Sequence, residues 1–287
     1  MPEPTKVGIV GCGLMGSGIA EVAARSGLPV LVGEVTPAAA DNGRARIETS
    51  LARGVKAGKL TLADRDATLA RITFTTDLAD FADRDIVIEA VAEHRQTKLD
   101  TLAALDKVLV HDRAVIASNT SSFAVMDLAV ATSRPENVVG MHFFNPVPVQ
   151  PLVEIVPTQL SSPEAVARAQ EFARDALGKT VITARDRSGF VVNALLVPYL
   201  ISAVRMLESG FASADDIDNG MVLGCAHPMG PLRLLDLIGL DTAQAVAEAM
   251  YDEFKEPLYA PPPLLRRMVA AGLLGRKSGR GFYTYAR

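Results

Sequence analysis

One imidazole and one carboxylate, 12 positions apart, are the first residues of this 287-residue chain that could do chemistry together. His142 follows the apolar run Val138-Val139-Gly140-Met141, and Glu154 interrupts the run Leu152 to Val156. The loop between them holds Pro146, Pro148 and Pro151. Each proline fixes its own φ and restricts the residue before it, so the loop has few conformations. A carboxylate inside a buried strand is costly without a partner, and His142 is the nearest candidate. A carboxylate that holds an imidazole fixes its tautomer and makes it a general acid or base. A structural histidine beside a strand-edge glutamate is the competing reading, and these two residues alone favour it.

A cofactor site is legible at the other end of the chain. Lys6 to Val10 reads as a strand and leads into Gly11-Cys12-Gly13-Leu14-Met15-Gly16, followed by a helical pattern through Ile19, Val22 and Ala23. In such a loop the first glycine permits the tight turn. The second lets backbone approach a pyrophosphate, and the third lets helix and strand pack closely. The N–H groups of the helix start then face the phosphates. Pro29 to Val32 reads as the next strand and ends near Glu34, 18 positions past Gly16. A carboxylate there accepts from the adenosine ribose hydroxyls and repels a 2′-phosphate, so NAD is expected over NADP. A surface glutamate at a strand end competes with this, but loop, strand and spacing together favour dinucleotide binding.

Strand and helix patterns largely alternate as far as Pro135. Ala38 to Thr68 reads as two helices carrying Ser50, Arg53, Lys56 and Lys59. A solvated face is the default there, and a small cationic site for a phosphate-bearing substrate tail is the alternative. Asp85 to Ala90 is a mostly apolar strand, as in a parallel sheet covered on both faces, and it runs into Glu93 and a helix containing Lys98. Ala114 to Ala117 ends in Ser118-Asn119-Thr120-Ser121-Ser122. Hydroxyls at the carboxyl end of a sheet strand lie where open α/β sheets bind ligands, although serine and threonine also cap helices well. Strands near Val138 to Met141, Leu152 to Val156 and Thr180 to Thr183 complete the sheet. The expected fold is α/β, with an N-terminal Rossmann-like doubly wound sheet over residues 1–184 and an all-α C-terminal domain over 185–287.

The second part opens with Ser188-Gly189 and a long helical pattern containing Asn193 and Pro198. Asn193 lies among apolar neighbours, so its amide needs a partner in protein or ligand. Helices apolar on more than one face bury them against something, and a homodimer through this domain is expected. A net charge of −4 without a strong basic run argues against nucleic acid. No apolar run reaches the length of a membrane span. The early strand leaves no room for a leader peptide, and Cys12 and Cys225 show no metal spacing. No metal site and a cytoplasmic location with reduced thiols are therefore expected.

The glycine loop with Met15-Gly16-Ser17-Gly18, Ser118 to Ser122, Met141 to Pro146, Gly189 to Asn193, His227 to Pro231 and Gly275 to Gly279 occur here in order. Together they resemble the L-3-hydroxyacyl-CoA dehydrogenases across essentially the full chain, most of all their bacterial 3-hydroxybutyryl-CoA dehydrogenase branch. The resemblance implies an acyl-CoA substrate, with His142 as acid/base at the 3-oxygen and Glu154 holding it. It implies that Ser121 hydrogen-bonds the reacting oxygen and Asn193 positions substrate. It places Gly11, Gly13, Leu14, Met15, Gly16, Glu34, Glu93, Lys98, Ser121, Asn145 and Lys277 around NAD. It places Ser50 and a nearby base at CoA. Ala57 stands where the family's lysine is expected, so Lys56 or Arg53 takes that part, and Glu34 stands where the family usually has aspartate. A sugar-acid dehydrogenase of gulonate type on the same fold, and a non-catalytic NAD-binding protein, are the alternatives.

Overall fold

The computed structural model describes residues 5–285. The chain divides into two compact units, Met1–Arg187 and Ser188–Arg287. The first contains one eight-stranded sheet in the order β3-β2-β1-β4-β5-β6-β7-β8. Its strands are β1 (Val7–Val10), β2 (Val30–Gly33), β3 (Ile72–Thr75), β4 (Ile86–Glu89), β5 (Val115–Ser118), β6 (Val138–Phe143), β7 (Leu152–Pro157) and β8 (Thr180–Thr183). All neighbours pair in parallel except β6 and β7, which are antiparallel.

The strand order reverses between β1 and β4, the place where doubly wound sheets hold ligands. Both strands are buried throughout, as their Val/Ile-rich sequences require of a sheet covered on two faces. The covering helices are α1 (Leu14–Arg25), α2 (Pro37–Lys56), α3 (Leu62–Leu69), α4 (Arg95–Val108), α5 (Val125–Ala129) and α6 (Pro163–Glu171). Ile19 of α1 and Ile47 and Leu51 of α2 are at most 1% exposed, each contributing about 1.5–3 kcal/mol by leaving water. Short polar signals set the helix starts. Thr61 and Asp64 form a reciprocal capping box on α3, and the exposed His94 caps α4 by accepting from the Thr97 N–H. The polar segment 184–187 stays with the first unit, because Asp186 accepts from the Val125 and Met126 N–H groups at the start of α5.

β3 had no counterpart in the sequence reading. It is a short strand at the end of the sheet order, and only Ile72 in it is buried, so its hydrophobic pattern is weak. The second unit is helical: α7 (Val192–Glu208), α8 (Ala214–Cys225), α9 (Pro231–Ile238), α10 (Leu240–Phe254) and α11 (Pro263–Ala270). Its core includes Leu200, Val204, Leu232, Leu240 and Leu265. Two buried aspartates staple it. Asp218 accepts from the Leu232 and Arg233 N–H groups at the start of α9, and Asp236 accepts from those of Phe282 and Tyr283. No helix among the described residues is long and apolar enough to cross a membrane.

Candidate active site

β6 runs on through Phe143, so His142 is a strand residue, and antiparallel pairing sets it directly opposite Glu154. Both side chains are buried, at 4% and 0% exposure. His142 Nδ1 lies 2.6 Å from Glu154 Oε2. A carboxylate only accepts, so Nδ1 carries the proton and Nε2 presents a lone pair. Nε2 lies 2.9 Å from Ser121 Oγ, in the half-buried loop that follows β5. The Asn119 side-chain carbonyl accepts from the Phe143 N–H at 2.9 Å and ties that loop to the end of β6. The imidazole is thus held at one nitrogen and open to chemistry at the other.

The proline loop behind the pair is fixed from within. Pro146 O accepts from the Val149 and Gln150 N–H groups, and the buried Lys179 ammonium donates to Val147 O and Gln150 O at 2.7 Å each. Burial, then the charge of Arg25, lowers the Lys179 pKa.

A second buried cluster supports the serine loop. Lys98 is 1% exposed and lies 2.8 Å from Glu89 and 3.1 Å from Glu93. Glu89 also accepts from Val91 N–H at 2.8 Å and from the Ser118 hydroxyl at 2.6 Å. Glu93 accepts from the hydroxyls of Thr120 and Ser122 and from the Ser121 N–H. Burial alone would raise the Glu93 carboxyl. The Lys98 ammonium and those hydroxyls outweigh it and hold Glu93 below the usual carboxylate range. The sequence reading passed over Glu89, since nothing local marks a partner nine positions along on a different element.

The glycine loop has the form a dinucleotide needs. Gly11 sits at φ +90°, and a Cβ there would lie 2.7 Å from Ala90 O. A Cβ at Gly16 would overlap the Gly11 carbonyl oxygen. At Gly13 a Cβ would meet no protein atom within 4 Å, so the bare backbone there serves something other than internal packing. No side chain caps α1, which leaves its first N–H groups for phosphate. Glu34, at the end of β2, accepts from the Cys12 N–H at 2.5 Å and so lies against this loop. Burial, then the charge of Glu34, pushes the Cys12 thiol up to about 12, which leaves it unreactive. These groups fit NAD.

Residues 6–187 match the 3-hydroxyacyl-CoA dehydrogenase NAD binding domain, and residues 189–285 match the C-terminal domain of the same family. The chain belongs to the 3-hydroxyacyl-CoA dehydrogenase family. It is therefore an NAD-dependent oxidoreductase. A 3-hydroxybutyryl-CoA dehydrogenase of Mycobacterium tuberculosis is 59% identical to it over 280 residues, 98% of each chain. The crystal structure of M. tuberculosis FadB2 matches with a TM-score of 0.98 at 58% identity, covering 99% of both chains. That of the (S)-3-hydroxybutyryl-CoA dehydrogenase PaaH1 from Ralstonia eutropha matches with a TM-score of 0.93 at 46% identity, covering 99% of this chain and 100% of that one.

Several residues that family resemblance singled out lie in one groove of the first unit, about 530 Å³ in volume. Ser50 and Arg53 of α2 line it together with Asn145 of the proline loop. Lys56 is exposed at the end of α2 and is not part of its lining. The groove also takes in Glu21 and Arg46, which the sequence reading did not single out. In the second unit Asn193 is half-buried in the first turn of α7, and Lys277 pairs with Asp241 at 2.5 Å. Among the described residues no group of three or more His, Cys, Asp or Glu could hold a metal ion.

Proposed function

We propose that this chain interconverts (S)-3-hydroxybutyryl-CoA and acetoacetyl-CoA, with His142 as the acid/base and Glu154 and Ser121 as its partners. The observation that carries the roles is the line Glu154–His142–Ser121, with contacts of 2.6 and 2.9 Å. When bound, NAD takes hydride from C3 in oxidation and returns it in reduction. In oxidation, neutral His142 takes the substrate hydroxyl proton on Nε2. In reduction, the imidazolium gives that proton to the 3-oxygen. Glu154 favours the charged ring by pairing and orients it through Nδ1. The Ser121 hydroxyl, already on Nε2, hydrogen-bonds the reacting oxygen, and Asn193 positions substrate.

Gly11, Gly13, Leu14, Met15 and Gly16 take the pyrophosphate in this reading, and Glu34 takes the ribose. Glu93, Asn145 and Lys277 complete the cofactor's surroundings, and Lys98 acts on it by charge and by holding Glu93. Ser50 and Arg53 contact CoA. The second unit exposes Leu195, Phe211 and Leu223 at 74%, 79% and 82%, and a homodimer forms through this unit. A monomeric mass by light scattering at micromolar concentration removes the dimer. The enzyme works in the cytoplasm, and cell fractionation tests that placement.

The deciding assay follows NADH absorbance with acetoacetyl-CoA for the wild type and His142→Ala. Fast consumption by the wild type alone supports reaction and base together. Silence in both, with NADH still bound, turns the search to CoA-free sugar acids or to a binding protein without catalysis.

A further inference from the structure

The groove beside the glycine loop holds a carboxylate that the reaction does not use. Glu21 of α1 is 2% exposed, and its Oε2 has no hydrogen-bond partner. Its Oε1 lies 3.5 Å from Arg25 Nη1, one helical turn along. Burial raises its pKa, against the opposing pull of Ser50, Arg25 and Arg53. A buried oxygen left without a partner costs free energy, and native proteins keep few of them. The same groove is lined by Arg46 and Arg53, and among the described residues neither guanidinium lies within 4.0 Å of a carboxylate oxygen. Each reaches only a backbone carbonyl at 3.4 Å, Arg46 that of Cys12 and Arg53 that of Thr49. One buried acceptor and two unpaired cations in one groove, between apolar side chains such as Leu14 and Val147, match a ligand with amide donors and phosphate oxygens.

We propose that Glu21 is a substrate-binding residue whose Oε2 accepts from the β-alanine–pantoate amide N–H of the pantetheine arm of CoA, while Arg46 and Arg53 take its phosphates. This rests on the acyl-CoA reading above and adds to it a contact that sets affinity without touching the reacting atoms. Ser50, beside Glu21 in the groove, then works as part of the same contact. The competing role is purely structural, a partly buried pair with Arg25 within α1. The two differ in what they predict. A structural pair shifts stability, whereas a substrate contact shifts KM, and only for substrates that carry the tail.

The test uses steady-state kinetics of the full chain with NADH and two thioesters. One is acetoacetyl-CoA. The other is acetoacetyl N-acetylcysteamine thioester, which keeps the reacting end and the inner amide but lacks the β-alanine–pantoate amide and the phosphates. Loss of one hydrogen bond to the tail raises KM for acetoacetyl-CoA about tenfold in Glu21→Ala. Its kcat and its KM for the short thioester stay within about twofold of wild type. Glu21→Gln keeps an acceptor oxygen and the shape, and it restores most of the lost affinity. An unchanged KM for acetoacetyl-CoA in Glu21→Ala overturns the proposal, and so does an equal rise for both thioesters. Failure of the wild type to turn over either thioester removes the acyl-CoA reading itself, a result no Glu21 variant can produce.

Discussion

His142–Glu154 and Lys98–Glu89 are both buried contacts between a nitrogen and a carboxylate in the first unit, with shortest distances of 2.6 and 2.8 Å. They differ in what the remaining atoms do. Glu89 is saturated by Lys98, Val91 N–H and the Ser118 hydroxyl, and Lys98 divides its charge between Glu89 and Glu93. His142 commits one nitrogen to Glu154 and turns the other to the hydroxyl of a half-buried loop. A saturated pair fixes backbone. A pair with one open valence can move a proton. Burial and distance alone do not separate the two; the hydrogen-bond inventory does.

The largest effect expected is at the open pair. His142→Ala removes the proton acceptor and lowers turnover by about 10³ to 10⁴-fold, with NADH binding retained. Stopped-flow absorbance and NADH fluorescence titration measure the two separately, and near-normal turnover takes His142 out of the reaction. At the closed pair the loss is in stability. Lys98→Met leaves Glu89 buried without its cation and destabilises by about 3–5 kcal/mol, read from urea unfolding. A change below about 1 kcal/mol would mean that Ser118 and the Val91 N–H suffice. Glu154→Gln comes next. It keeps the shape, removes the charge beside the imidazolium and slows turnover about 10²-fold, with a changed pH–rate profile. An unchanged profile makes Glu154 a structural residue.

The two pairs were unequally legible in the sequence, for a physical reason. His142 and Glu154 lie on two short apolar runs joined by a proline-restricted loop, and adjacent strands so joined bring such residues face to face. Lys98 and Glu89 belong to a helix and a strand, and only the packed sheet brings them together. The glycine loop and Glu34 were readable because a phosphate-binding turn needs glycine at fixed spacing. Glu21 and Arg46 were not, because a charged residue on a helix reads as solvated until the groove it faces is seen. Among the strands, β1, β2, β4 and β5 carried strong apolar runs, while β3 had one buried residue and left no usable pattern.

Glu93 connects the closed pair to the open one, and the smallest effect is expected there. It bonds Lys98 on one side and the Ser121 N–H on the other. Its folded-state pKa is depressed, so its stabilising contribution is fully present above the unfolded-state value and is lost as pH falls through the folded one. Glu93→Gln has no charge to lose. Its urea midpoint therefore falls less steeply than the wild type's as pH drops through and below the ordinary glutamate range, and the two curves converge at the acid end. At neutral pH the amide still accepts from the serine loop, so turnover drops only a few-fold, on the order of one weakened hydrogen bond. Parallel midpoint curves would mean that Glu93 is no better held in the folded chain than in the unfolded one. A turnover loss as large as that of Glu154→Gln would place the serine loop, rather than the imidazole alone, at the centre of the proton transfer.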